Sequence, residues 1–235
     1  MPDAPAPATD AFAAFRVPDY RAFWFYRLFG STAIQIQSVA VGWQIYQLTH
    51  DALKLGLIGL AEAVPALGVS LLAGHVADVM SRRTILRISN GLLFVATAAL
   101  AAISLPSLHD FLSVHVWLIY AVIFLTGLCR GFLSPAHFGL LGQVVPAELY
   151  GNASVWNANA WQGACIVGPA MAGLVYGFNG VNGAAVTYAL AAVMLLIGFI
   201  CLFLISAPPA RAKRAEQSIV ASIHEGLRFV FRSQV

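Results

Sequence analysis

The sequence predicts an all-α membrane protein with six transmembrane helices, and three observations carry that prediction. Of its 235 residues, 60% are hydrophobic and only 10% are charged, whereas a water-facing domain carries roughly 25% charge. The run 181–207 contains no Asp, Glu, Lys or Arg. At about 1.5 Å per helical residue it outspans a hydrocarbon core of about 30 Å. Positive charge, finally, gathers in alternate breaks between the apolar runs, as orientation in a bilayer requires.

The elements follow in order. Residues 1–15 begin Pro/Ala-rich and lack the basic-then-apolar pattern of a cleavable signal, so they read as a disordered cytoplasmic tail. Residues 16–207 form the transmembrane domain, with helices predicted over 22–48, 54–77, 84–106, 114–138, 152–178 and 183–206. Turn chemistry separates them: His50-Asp51, the loop from Asp78 to Arg83, Pro106 to Asp110, Pro146 to Gly151, and Asn179-Gly180. Pro208-Pro209 ends the sixth. Residues 208–235 form a cytoplasmic linker in which Ile219, Ile223, Leu227 and Val230 recur at helical spacing between charges. That pattern predicts a short amphipathic helix on the membrane surface.

Charge sets the topology. One face receives Arg16, Arg21, Arg82, Arg83, Arg87, Arg211, Lys213 and Arg214, and the other only Lys54. The positive-inside rule then places both termini in the cytoplasm, in the inner (plasma) membrane. Trp24, Tyr26 and Trp117 fall near the expected interfaces. Asn152-Ala153-Ser154 fits a glycosylation sequon, but on this topology it faces the cytoplasm and reads as a chance match.

Composition also excludes several functions. A net charge of +3 without a basic patch gives no nucleic-acid partner. Cys129, Cys165 and Cys201 lie inside spans and read as apolar fillers, so neither a metal nor a cofactor is expected. The spans hold no H-E-x-x-H or G-x-S-x-G, which argues against a membrane enzyme.

Two ionised side chains lie inside spans, Glu62 in the second and Arg130 in the fourth. Each costs a few kcal/mol near the midplane unless it faces the bundle interior, water or its counterpart. Each lies about eight residues from an opposite end of its helix, so the two differ in depth by roughly 6 Å and are within reach of a pair. The pair is a candidate for proton coupling, with Glu62 titrating and Arg130 tuning it or binding an anion. It serves equally as a static pair that sets helix register. Gln35, Asn159 and Gln162 are candidate cavity-lining residues that also suit interhelical hydrogen bonding. His137 reads as an interfacial polar residue at the cytoplasmic end of the fourth span.

Two motifs remain. Gly74-His75-Val76-Ala77-Asp78-Val79-Met80-Ser81-Arg82-Arg83 packs a carboxylate and an arginine pair into a short turn between two membrane-length helices. It resembles the loop between the second and third helices of major facilitator superfamily transporters, G-x-L-A-D-R-x-G-R-K/R. Gly74, Ala77, Asp78, Arg82 and Arg83 fit that pattern, whereas Val79 and Ser81 depart from it. Gly163, Gly168-Pro169 and Gly173 resemble the fifth-helix antiporter motif of facilitator-type exporters, with the first glycine displaced by one and Ala172 replacing a glycine. Phe15-Arg16, Tyr20-Arg21-Ala22-Phe23-Trp24, Leu57-Ile58-Gly59-Leu60 and Val145-Pro146-Ala147-Glu148-Leu149 resemble the enterobactin-exporter-like (drug and siderophore efflux) branch.

The resemblance implies one half of a twelve-helix fold, built as a 3+3 inverted repeat, that stops in the linker between halves. It implies proton-coupled export of a small amphipathic or hydrophobic molecule by alternating access. Gly74, Asp78, Arg82 and Arg83 would act as a conformational latch. The implied partners are the small-molecule substrate, protons, the lipid bilayer, and a carboxy-terminal six-helix half or a second copy. The alternatives are a non-transporting fragment and a half-subunit that works only with a second half.

Overall fold

The structure, a computed structural model, describes residues 10–206; within them the side chains of 71, 72, 75, 77, 78 and 79 are not described. The expected linker helix of 208–235 lies outside the described residues. What is described is helical: α1 Pro18–Thr49, α2 Ala52–Val79, α3 Arg82–Ile103, α4 His109–Val114, α5 Trp117–Val144, α6 Tyr150–Phe178 and α7 Gly183–Phe203.

Local chemistry sets the ends. Pro18 opens α1, where its missing N–H costs nothing. His50 closes it in the left-handed conformation, φ 49°. The Asp51 carboxylate accepts from Leu53 N at 2.9 Å and caps α2, and Ser81 Oγ accepts from Thr84 N at 3.1 Å and caps α3. The departure from glycine at position 81 therefore supplies a helix cap.

Four expectations change. Residues 10–15, expected as part of a disordered tail, are ordered, with a 3₁₀ turn at Ala13–Arg16. Phe12 packs tilted and Phe15 edge-on against Trp156, and Trp156 Nε1 donates to Ala11 O. The third helix stops at Ile103 instead of 106, because Pro106 disfavours helix just before it. The fourth runs to Val144 instead of 138: Phe138, Leu140 and Leu141 continue the apolar pattern, and it ends at an extended Val145 before Pro146. The loop before it holds the short α4, too brief to read as a period.

Packing makes α1 central, against α6 and α7. The α3 helix packs on both α7 and α5, and α2 packs chiefly on α5. One apolar cluster (Tyr20, Phe23, Leu86, Leu140) fills the end nearest Arg82, called here the basic end, and a second (Ile45, Leu100, Ile119, Tyr188) fills the other. Interhelical hydrogen bonds pin the register, from Asn90 Nδ2 to Leu195 O at 3.0 Å and from Tyr188 Oη to Gln44 Oε1 at 2.8 Å.

Among the described residues, four helical stretches are long and apolar enough to cross a membrane: Ala52–Ser70, Arg82–Ile103, Trp117–Val144 and Gly180–Phe203. With 32 and 29 residues, α1 and α6 have the length. Their hydropathy is lowered by Arg21, Arg27, Gln35, Gln37 and Gln44 on α1 and by Asn152, Asn157, Asn159 and Gln162 on α6.

Candidate functional site

The α2 and α5 helices approach closely around a pair of charges. On α5, Gly127 and Gly131 lie one turn apart and both meet the α2 backbone. A Cβ on Gly131 would stand 2.8 Å from Ala66 O, and one on Gly127 would stand 2.8 Å from Pro65 Cγ. Only glycine permits that approach. Gly127 and Gly131 were not singled out in the sequence, although Gly127-x-x-x-Gly131 is the spacing that signals such packing.

The approach brings Glu62 of α2 against Arg130 of α5, and Arg130 Nη1 pairs with Glu62 Oε1. The two side chains are 16% and 25% exposed, so each charge is largely removed from its surroundings. The pair uses one edge of the guanidinium. Nε and Nη2 of Arg130 are buried with no hydrogen-bond partner among the described residues. The carboxylate and the guanidinium thus balance one another's charge between the two helices.

His137, expected as an interfacial polar residue, is buried between helices, with Nε2 2.6 Å from Tyr26 Oη and Nδ1 3.3 Å from Arg27 Nη1. Tyr26 is correspondingly buried instead of lying in an aromatic belt. Trp24 donates to Trp156 O at 3.0 Å, whereas Trp117 is 62% exposed. Asn152 of the formal sequon is engaged by its own fold, donating to Ala11 O and accepting from Ala14 N.

The remaining expected residues fall elsewhere. Gly168 meets Gln35: a Cβ there would stand 2.5 Å from Gln35 Cβ and 3.2 Å from Thr32 O, so it seats α6 on α1. Gly163 and Gly173 have nothing within 4 Å of a Cβ, and Pro169 is half-buried. Asn159 and Gln162 are exposed on α6. Gly74 is open as well, and the Arg82 side chain crosses α5 where a Cβ on Gly139 would stand 2.8 Å from its Nε. Arg83 lies beside Arg82 in the first turn of α3. The Asp78 side chain lies outside what is described. The structure thus joins Glu62 with Arg130 and Gln35 with Gly168, on two separate helix pairs.

Comparison with known proteins agrees with this architecture. The transmembrane secretion effector family matches residues 9–235. The chain is 30% identical over 209 residues to the multidrug efflux pump Tap of Mycolicibacterium fortuitum, covering 85% of this chain and 49% of that protein. It is 27% identical over 145 residues to the staphyloferrin A transporter of Staphylococcus aureus, covering 60% of this chain and 34% of that protein. The chain therefore spans half or less of the length of the curated relatives it matches.

Proposed function

Because the chain belongs to the transmembrane secretion effector family of the major facilitator superfamily, we propose that it is one six-helix half of a proton-coupled exporter. The observation that carries the proposal is the Glu62–Arg130 pair held between α2 and α5. Glu62 is the proton-carrying group and Arg130 its counter-charge. Protonation of Glu62 releases the arginine, and that loss of attraction biases α2 against α5 as the halves rock around a midplane site.

The packing supports a 3+3 repeat. Exchanging α1 with α5, α2 with α6 and α3 with α7 maps α1·α6 onto α5·α2 and α1·α7 onto α5·α3, and leaves α3·α7 unchanged. All six long helices span the bilayer in this reading, and the basic end is cytoplasmic. A second half, covalent or a second copy, seats on α2 and α6. Gly56, Gly59, Gly68 and Gly74 of α2 and Gly163, Gly173 and Gly177 of α6 have no atom within 4 Å of a Cβ, leaving both helices smooth there. The loop of Gly74, Asp78, Arg82 and Arg83 is the latch against that half. The cargo is a small amphipathic or hydrophobic molecule that meets Gln35, Asn159 and Gln162, in line with relatives named for a siderophore and for multiple drugs.

A second reading is a half-subunit that stays inactive until a second six-helix half joins it. Dye efflux from cells separates the two: the exporter loses efflux when the proton gradient is dissipated, and an unpaired half gives none. Glu62→Gln is expected to abolish gradient-driven efflux with the protein still folded; unchanged efflux removes Glu62 from the mechanism.

A further inference from the structure

Toward the basic end a second cation stands inside the bundle with no carboxylate beside it. Arg27 lies about 13 Å along α1 from its start at Pro18. Its guanidinium carbon is 5.2 Å from the centre of the Trp161 ring on α6, and its Nη1 faces His137 Nδ1 on α5 at 3.3 Å. Nε is buried with no hydrogen-bond partner, and among the described residues Arg27 forms no ion pair.

Its supports orient the charge without cancelling it. An arginine can only donate, so His137 Nδ1 accepts and the imidazole proton sits on Nε2. That proton is donated to Tyr26 Oη at 2.6 Å. His137 is thus a neutral prop fixed at both nitrogens. Trp161 attracts the cation through its ring face and leaves the charge intact. A planar donor fork, fixed and uncompensated, matches a carboxylate. Trp161, 38% exposed, adds an aromatic wall beside it.

We propose that Arg27, braced by His137 of α5 and Trp161 of α6, binds the carboxylate of a small aromatic acid where these three side chains meet. The site is separate from the Glu62–Arg130 pair. Binding rests on the geometry of Arg27 alone, and only the identification of the acid as cargo rests on the export reading.

The test is equilibrium binding of radiolabelled benzoate and benzamide to the full chain in phosphatidylcholine nanodiscs. Benzoate is expected to bind saturably, with benzamide about tenfold weaker or worse, the usual effect of losing a charged hydrogen bond. Arg27→Gln should weaken benzoate about tenfold. Equal binding of acid and amide overturns the proposal, as does full affinity in folded Arg27→Gln. If Arg27→Gln does not fold, Arg27→Lys keeps the charge but loses the fork. Weakened benzoate binding there supports the site, and undiminished binding overturns it. Lost efflux with intact benzoate binding counts against export alone, and intact efflux without benzoate binding counts against this site alone.

Discussion

Glu62 and Arg130 each stand inside an apolar helix, and neither is tolerable there alone. Removing one partner of such a pair leaves an uncompensated charge, at a cost of about 3–5 kcal/mol, whereas replacing both by apolar groups is near neutral. Arg130→Leu is therefore expected to lower stability by that amount in thermal unfolding in detergent micelles. Glu62→Leu combined with Arg130→Leu should recover most of it while remaining inactive in efflux. A double variant that still exports would reduce the pair to a register device. The existence of the two charges and their similar depth were legible in the sequence. Their neighbours were not: His137 read as interfacial because the end of α5 was placed too early, and that misplacement also hid its bonds to Tyr26 and Arg27.

Among the described side chains of α2, only Ile58, Pro65 and Ala73 are buried, a thin stripe toward α5. The fit depends on Gly127 and Gly131, so bulk there must push α2 away. Gly131→Leu is expected to cost about 1–3 kcal/mol through overpacking, seen as a lower thermal midpoint. Gly59→Leu, on the open side of the same helix, should leave the midpoint unchanged. Equal effects at both positions would contradict the assigned face. Glycine is visible in a sequence, but its neighbour is not. The same letter marks tight packing at Gly131, an open surface at Gly59 and a turn at Gly180, where φ is 51°.

For the molecule as a whole, the open glycines of α2 and α6 make an assembly surface in the proposed exporter. Gly59→Trp and Gly173→Trp have room within this chain, so both are expected to keep the unfolding temperature of the wild type. Both should lose efflux, because the indole occupies space reserved for the second half. Full efflux with either substitution would place that face against lipid instead.

By itself the sequence determined that this is a helical membrane protein, roughly where its long helices lie, and which side chains are out of place in lipid. Those properties follow from local length, hydropathy and charge, and each is read one segment at a time. Only the tertiary structure decided that α2 lies on α5 and α6 on α1, that Glu62 meets Arg130, and that Arg27 rests on His137 and Trp161. In a bilayer, lipid solvates every apolar face equally well, so a hydrophobic pattern cannot name the partner of a helix. Close backbone approach and polar contact choose the partner, and both arise between segments far apart in the chain.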